Sequence, residues 1–238
     1  MLPEDFTIQL ATTFMNYLLR DKHLQRNYVN REISFLKGVL KFAVQKEIIK
    51  INPISDIELR HEKPKPIVAL SQDELNLLMK HRFASLRLQQ VADLYIFQSF
   101  TGFAYCDVMD FDYKKHTKVV NSKTWIFKTR VKCDAEAIIP LFDEAVAILD
   151  KYAFSLPVIT NQKYNAYMKE ISEILGIEKK LTTHTARKTF ATLKLNDGFS
   201  IESVAKMLGH NSIKITQSTY AQVGVLRIEN DMLHLKTR

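Results

Sequence analysis

Residues 182 to 220 read TTHTARKTFATLKLNDGFSIESVAKMLGHNSIKITQSTY, and this stretch decides the class of fold. A helix over 184–195 is predicted to begin after a capping threonine, because threonine side chains accept hydrogen bonds from the first free N–H groups of a helix. A second helix over 201–208 is predicted to end at Gly209, since glycine readily adopts the left-handed conformation that ends helices. The C-terminal half is therefore helical, with polar residues at its helix ends.

Four of these polar residues form an unusual set. His184 and Arg187 are three positions apart on one helix face, His210 directly follows Gly209, and Tyr220 comes ten residues later. Each residue also has an ordinary structural explanation: His184 and Arg187 as a surface pair, His210 as part of a helix cap, and Tyr220 as core packing. Together, a phenol, two imidazoles and a guanidinium suit attack on a phosphodiester without a metal. No carboxylate cluster in this stretch could hold magnesium, so we predict no metal site.

A basic β-hairpin is predicted upstream. Residues 124–132 are rich in β-branched and aromatic side chains, and residues 135–141 resemble a second strand. Alternation along the first strand places four side chains on one face: Ile126, Lys128, Arg130 and Lys132. Three cations on one face repel one another unless an anion or solvent lies there. We predict that this face binds DNA and that Lys128 contributes to the contact.

The chain breaks between Arg60 and Val68, where two prolines at alternate positions cannot continue a helix. We predict a helical DNA-binding domain over 1–62, a linker over 63–68 and a second domain over 69–238, ending in a helix within 221–235. In the first domain, a helix over 27–48 carries a polar stripe that includes Lys37 and Lys41. That stripe either lies along a DNA groove or simply faces solvent.

Composition narrows the class of protein. The 34 basic and 26 acidic residues give a net charge of +8 and a pI near 9.3, which favours polyanionic partners. No apolar run reaches the roughly 18 residues that a membrane helix needs, so no membrane partner is expected. Two cysteines provide neither a zinc cluster nor a disulfide framework, which fits a reducing cytoplasm. No glycine-rich nucleotide loop occurs, and no cofactor is predicted.

The order His184-x-x-Arg187, Leu208-Gly209-His210 and Tyr220 resembles the C-terminal signature of tyrosine recombinases, the phage-type integrases. Three further matches lie upstream: Thr101-Gly102, Ile139-Pro140-Leu141 and Asn52-Pro53. The resemblance implies a mainly α fold with a small antiparallel β-sheet, in which a helical, SAM-like core-binding domain precedes an α+β catalytic domain. It also implies site-specific recombination of double-stranded DNA at the nucleoid. The expected assembly is a homo-tetramer on DNA built from free monomers, with accessory DNA-bending proteins as further candidate partners.

The resemblance also assigns roles. Tyr220 would be the nucleophile that forms a 3′-phosphotyrosyl link, and Lys132 would protonate the leaving 5′ oxygen. Arg187 would activate the scissile phosphate, with His184 and His210 beside it. The family's first arginine normally follows Thr-Gly-x, but Ala104 stands at that position.

We predict that Arg130 supplies the missing guanidinium at the phosphate. The alternative is that Arg130 only contacts the DNA backbone.

Three alternatives remain at the level of sequence. A type IB topoisomerase would share the chemistry without pairing two sites. A DNA-binding relative without catalysis would explain Ala104 but not the other site residues. The chain could also be the core fragment of a longer integrase that carries an arm-binding domain.

Overall fold

The structure is a computed structural model that describes residues 6–59, 66–132 and 134–220. The chain divides into two compact units, Met1–Pro66 and Ile67–Arg238. The boundary between them falls within the proline-containing break at residues 60–68.

The first unit contains two helices, α1 (Ile8–Arg20) and α2 (Arg26–Gln45). A small core holds them together, formed by Ala11, Leu40, Ala43, Ile49 and Ile54. The segment after α2 is fixed by hydrogen bonds to Lys37. Its Nζ donates to the carbonyl of Ile57 (2.8 Å), and its own carbonyl accepts from Asn52 Nδ2 (3.1 Å). Lys37 therefore has a structural role in this unit.

The second unit contains the other helices and a small sheet. In chain order these elements are α3 (Gln72–Lys80), α4 (Leu86–Thr101), α5 (Tyr105–Met109), α6 (Tyr113–His116), β1 (Thr117–Val120), β2 (Lys123–Thr129), β3 (Glu136–Pro140), α7 (Asp143–Lys151), α8 (Asn161–Ile174), α9 (Thr183–Asn196), α10 (Ile201–Leu208) and α11 (Ile213–Tyr220).

Helix α4 is the centre of this unit, and it packs against α7, α8 and α9. Several of its buried polar side chains have partners, as where the Tyr95 hydroxyl meets Thr185 Oγ1 of α9 at 3.1 Å, whereas the buried Ser99 hydroxyl has none among the described residues. The helix ends at Gly102, whose φ of +67° is left-handed. A Cβ there would lie 2.5 Å from Phe190 Cδ1, so glycine is required for α4 to end against α9.

The three strands form an antiparallel sheet in the order β1-β2-β3, with Ile126 opposite Ile139 in the hairpin. The predicted hairpin is thus present, but β2 ends at Thr129, three residues earlier than the pattern predicted. Strand alternation therefore does not fix the direction of Lys132. The edge strand β1 was not predicted.

The mainly helical fold with a small antiparallel sheet confirms the predicted class. Across the described ranges, no helix combines the length and the apolarity that crossing a bilayer requires. The helix predicted within residues 221–235 lies outside the described residues.

Candidate active site

Arg187 is placed by the first turn of α9. Thr182 caps this helix, its hydroxyl accepting from Thr185 N at 3.2 Å. The Arg187 side chain is only 7% exposed. Its Nη1 donates to the Gly102 carbonyl (2.5 Å) and its Nη2 to the Leu208 carbonyl (2.6 Å). The guanidinium therefore bridges the C-terminal ends of α4 and α10.

Arg130 approaches the same carbonyl from the hairpin. Its Nη1 donates to Leu208 O at 2.7 Å, and its Nε donates to Asp107 Oδ2 at 2.8 Å. The side chain is 8% exposed. Gly209 leaves room for this contact, because a Cβ there would lie 2.8 Å from the Cγ and Cδ of Arg130. The two guanidiniums of Arg130 and Arg187 thus meet at the end of α10, directly before His210.

Asp107 is a site residue that sequence reasoning missed. It is fully buried on α5. Besides Arg130, its carboxylate accepts from the backbone N–H groups of Ala104 (3.3 Å) and Val131 (2.9 Å). The signal for it was local, an acidic residue three positions after the residue that precedes a helix, as in a capping box. Asp107 therefore joins the Thr-Gly turn to the basic hairpin.

Two of the three hairpin cations, Lys128 and Arg130, point into the protein, where carboxylates lie against them. Lys128 is 2% exposed, and its Nζ donates to Asp110 Oδ2 at 2.5 Å. This hydrogen bond lowers the pKa of the Asp110 carboxyl. Asp107 is the corresponding carboxylate beside Arg130. The negative charges beside Lys128 and Arg130 are therefore carboxylates of the protein itself. A DNA contact by Lys128 stays a prediction, and it would require the Lys128–Asp110 ion pair to open.

Lys132 and His184 are both exposed and line one cavity of about 180 Å³. The remaining lining residues are Ala104, Tyr105, Cys106, Asn161, Thr183 and Arg187. The cavity therefore brings together three predicted site residues and the position of the missing arginine. Two of these residues, Lys132 and Arg187, are cationic.

Both histidines are held neutral. Partial burial of the ring lowers the pKa of His184, although the residue is exposed at the cavity, and the cations Lys188, Arg187 and Lys132 act in the same direction. Burial also lowers the pKa of His210, to about 4, with Arg187 and Arg130 adding to the effect. A neutral imidazole keeps one N–H, so each ring can still donate a hydrogen bond to a phosphate oxygen at neutral pH.

Tyr220 is the last described residue and ends α11. It is 5% exposed, and burial raises the pKa of its phenol to about 12 even though Arg187 opposes that shift. The phenol is therefore protonated at neutral pH. Tyr220 is not among the residues that line the cavity.

In the first unit, Lys41 is exposed on α2 and Lys37 is half-buried.

Within the described residues, no group of three or more His, Cys, Asp or Glu side chains is arranged to hold a metal ion.

The comparisons with known proteins agree on one family. The model of the phage integrase family matches residues 69–226. The tyrosine recombinase XerC of Pediococcus pentosaceus is 25% identical over 236 residues, which covers 87% of this chain and 75% of the relative. The tyrosine recombinase XerD of Oceanobacillus iheyensis is 26% identical over 239 residues, covering 90% and 77%.

Among solved structures, the Tn1549 transposon integrase in complex with transposon right end DNA matches with a TM-score of 0.74. Its sequence identity is 16%, over 97% of this chain and 86% of that one, so this likeness establishes the fold. The family match spans the whole site described above, from the Thr-Gly turn to Tyr220. The chain belongs to the phage integrase family and is a site-specific tyrosine recombinase.

Proposed function

We propose that the chain cuts and rejoins double-stranded DNA through a 3′-phosphotyrosyl intermediate formed by Tyr220. The observation that carries this proposal is that Arg187 and Arg130 both donate to the Leu208 carbonyl, two residues before His210. Arg187 is also close enough to Tyr220 to oppose the rise in the pKa of its phenol. Fixed donors of this kind stabilise the negative charge that builds up on phosphoryl oxygens in the transition state.

The proposed step balances without a metal or cofactor. The Tyr220 oxygen forms a bond to phosphorus as its phenolic proton passes to solvent and the bond to the 5′ oxygen breaks. The departing oxygen takes a proton from Lys132, which lines the cavity beside Arg187. The phosphotyrosyl bond replaces the phosphodiester, so attack by a 5′ hydroxyl reverses the step. His184 and His210 donate hydrogen bonds to the non-bridging oxygens.

We further propose that Arg130 takes the part of the arginine that Ala104 replaces. Two of its nitrogens, Nε and Nη1, are used by Asp107 and Leu208, which leaves Nη2 without a partner among the described residues. A guanidinium fixed on two internal acceptors can offer its third nitrogen to a phosphate at little entropic cost.

We propose that the protein binds DNA as a homo-tetramer that assembles from monomers. Accessory DNA-bending proteins are additional proposed partners. Lys41 is the exposed cation of the α2 stripe, and Lys37 adds to the stripe from its half-buried position. Because the substrate is chromosomal or mobile-element DNA, we place the protein at the nucleoid in the cytoplasm.

The decisive experiment compares two tyrosines. A nicked suicide substrate traps the covalent protein–DNA adduct, which denaturing gels separate from free protein. Tyr220→Phe should bind DNA and form no adduct. The matched control is Tyr105→Phe, because Tyr105 lines the cavity and its hydroxyl donates to Ile159 O at 2.7 Å. The control should keep forming adduct. Adduct from Tyr220→Phe together with its loss from Tyr105→Phe would move the nucleophile to the cavity.

A further inference from the structure

The imidazole of His210 is held by a residue of the nucleophile helix. His210 Nδ1 lies 2.8 Å from the Thr216 hydroxyl oxygen, and Thr216 is completely buried on α11. Thr216 precedes Tyr220 by four positions, which is about one helical turn. One side chain thus connects the helix that carries the proposed nucleophile to the imidazole of His210.

The direction of this hydrogen bond follows from where the hydroxyl proton can go. The buried helical threonines Thr101 and Thr189 donate to the carbonyl oxygen one turn earlier. Thr216 makes no such bond in the described residues, and its hydrogen bond there is to His210. A buried hydroxyl proton without an acceptor is costly. The Thr216 hydroxyl therefore donates to Nδ1 of His210.

That direction fixes the tautomer of the ring. If Nδ1 accepts, the single proton of the neutral imidazole is on Nε2. Nε2–H is then free to donate to a phosphate oxygen, which the opposite tautomer could not do from the same nitrogen. We infer that Thr216 is a positioning residue that keeps His210 in the Nε2–H tautomer and aims that N–H at the scissile phosphate.

This inference rests on the proposed roles of His210 and Tyr220 in strand cleavage. It has a mechanical consequence, because Thr216 and Tyr220 lie one turn apart on α11. Displacing α11 removes the partner of Nδ1 at the same time as it removes the nucleophile. The histidine is thus oriented only when the nucleophile helix is in place.

The kinetic test removes only the hydroxyl. Thr216→Val is nearly isosteric, and we expect cleavage at saturating DNA to fall about 10- to 100-fold, as it does when the outer partner of a metal-bound histidine is lost. Thr216→Ser keeps the hydroxyl and should restore most of the rate. The matched control is Thr192→Val on α9, because the Thr192 oxygen is buried without a partner among the described residues. This control should leave the rate unchanged.

A double-mutant cycle separates positioning from general packing. If Thr216 acts through His210, Thr216→Val should slow the His210→Ala protein by less than twofold, because the ring it orients is already gone. Equal slowing in both backgrounds would overturn the inference, as would a Thr216→Val protein that cleaves at the wild-type rate.

The tautomer itself is read by NMR of protein labelled with ¹⁵N-histidine, with His210 assigned from the spectrum of His210→Ala. The wild type should show a protonated Nε2 and an unprotonated Nδ1 at pH 7. A protonated Nδ1 in the wild type would overturn the inference without any variant. If the wild type forms no adduct on its DNA site, the proposed function fails, while these spectra still decide the tautomer.

Discussion

Arg130 is proposed to replace the arginine that is missing at position 104, and its buried surroundings determine how this role must be tested. The Arg130–Asp107 pair is almost completely buried, with 8% and 1% of the side chains exposed. Removing one partner of a buried ion pair costs about 3–5 kcal/mol, because the other charge stays behind without compensation. Arg130→Ala would therefore lose stability and activity together, and a loss of cleavage would say little about chemistry.

Arg130→Lys is the sharper change. It keeps a positive charge beside Asp107, so most of the ion pair should survive. A single ammonium cannot hold Asp107, Leu208 O and a phosphate in the geometry of a guanidinium. Losing one transition-state donor costs about 10²–10³-fold in rate, or about 3–4 kcal/mol. We expect Arg130→Lys to form the covalent adduct about 10²-fold more slowly at saturating DNA, with an affinity close to that of the wild type.

The assay needs three measurements on each variant: adduct formation on the suicide substrate, DNA affinity by fluorescence anisotropy, and thermal unfolding. Ala104→Arg in the Arg130→Lys background provides a gain of function, because position 104 lines the same cavity as Lys132 and Arg187. A guanidinium placed there should recover at least about tenfold of the lost rate. Arg130→Lys cleaving as fast as the wild type would refute the compensation and leave Arg130 as a packing residue.

Three other outcomes are expected. Lys132→Ala should cleave poorly on ordinary DNA but recover on a 5′-phosphorothiolate substrate, whose leaving sulfur needs no proton; without recovery, Lys132 is a phosphate contact and not a general acid. Gly209→Ala should lower the free energy of unfolding by more than Gly176→Ala in urea titrations. Both glycines have φ above +60°, but only the Cβ at 209 meets Arg130, so equal losses would show that the contact is harmless. Stability should fall from pH 6.5 towards pH 4, since the folded pKa of His210 is about 4 and the unfolded state takes up the proton first; His210→Gln should flatten that fall.

Local patterns were enough to predict several elements of this fold. The capping threonine before α9 and the glycine after α10 are present as predicted, because caps depend on neighbours within four residues. The hairpin followed from its β-branched residues. The strand β1 was missed since its four residues are mostly exposed and too few to show a period.

The candidate site likewise contains residues that sequence patterns reveal and residues that they do not. His184, Arg187, His210 and Tyr220 lie on motifs of fixed spacing, and the sequence was enough to single them out. Asp107 was not found, because its importance comes from Arg130, which is 23 residues away in sequence. A contact of that range leaves no periodic trace. The inward direction of Lys128 and Arg130 could not be predicted either, because it depends on carboxylates that are distant in sequence.

If Tyr220 is the nucleophile as proposed, its burial keeps the phenol protonated in the arrangement described here. Two opposing influences act on the phenol, and burial outweighs Arg187, so its pKa rises to about 12. A movement of α11 that brings the phenol to the cavity would remove the burial but keep a cation nearby, since Arg187 also lines that cavity. The same movement must keep Thr216 at His210 Nδ1, because otherwise the nucleophile would arrive as the imidazole lost its orientation. Under the proposed mechanism, Tyr220 would therefore reach the cavity by reorientation of the last turn of α11, with Thr216 staying beside His210.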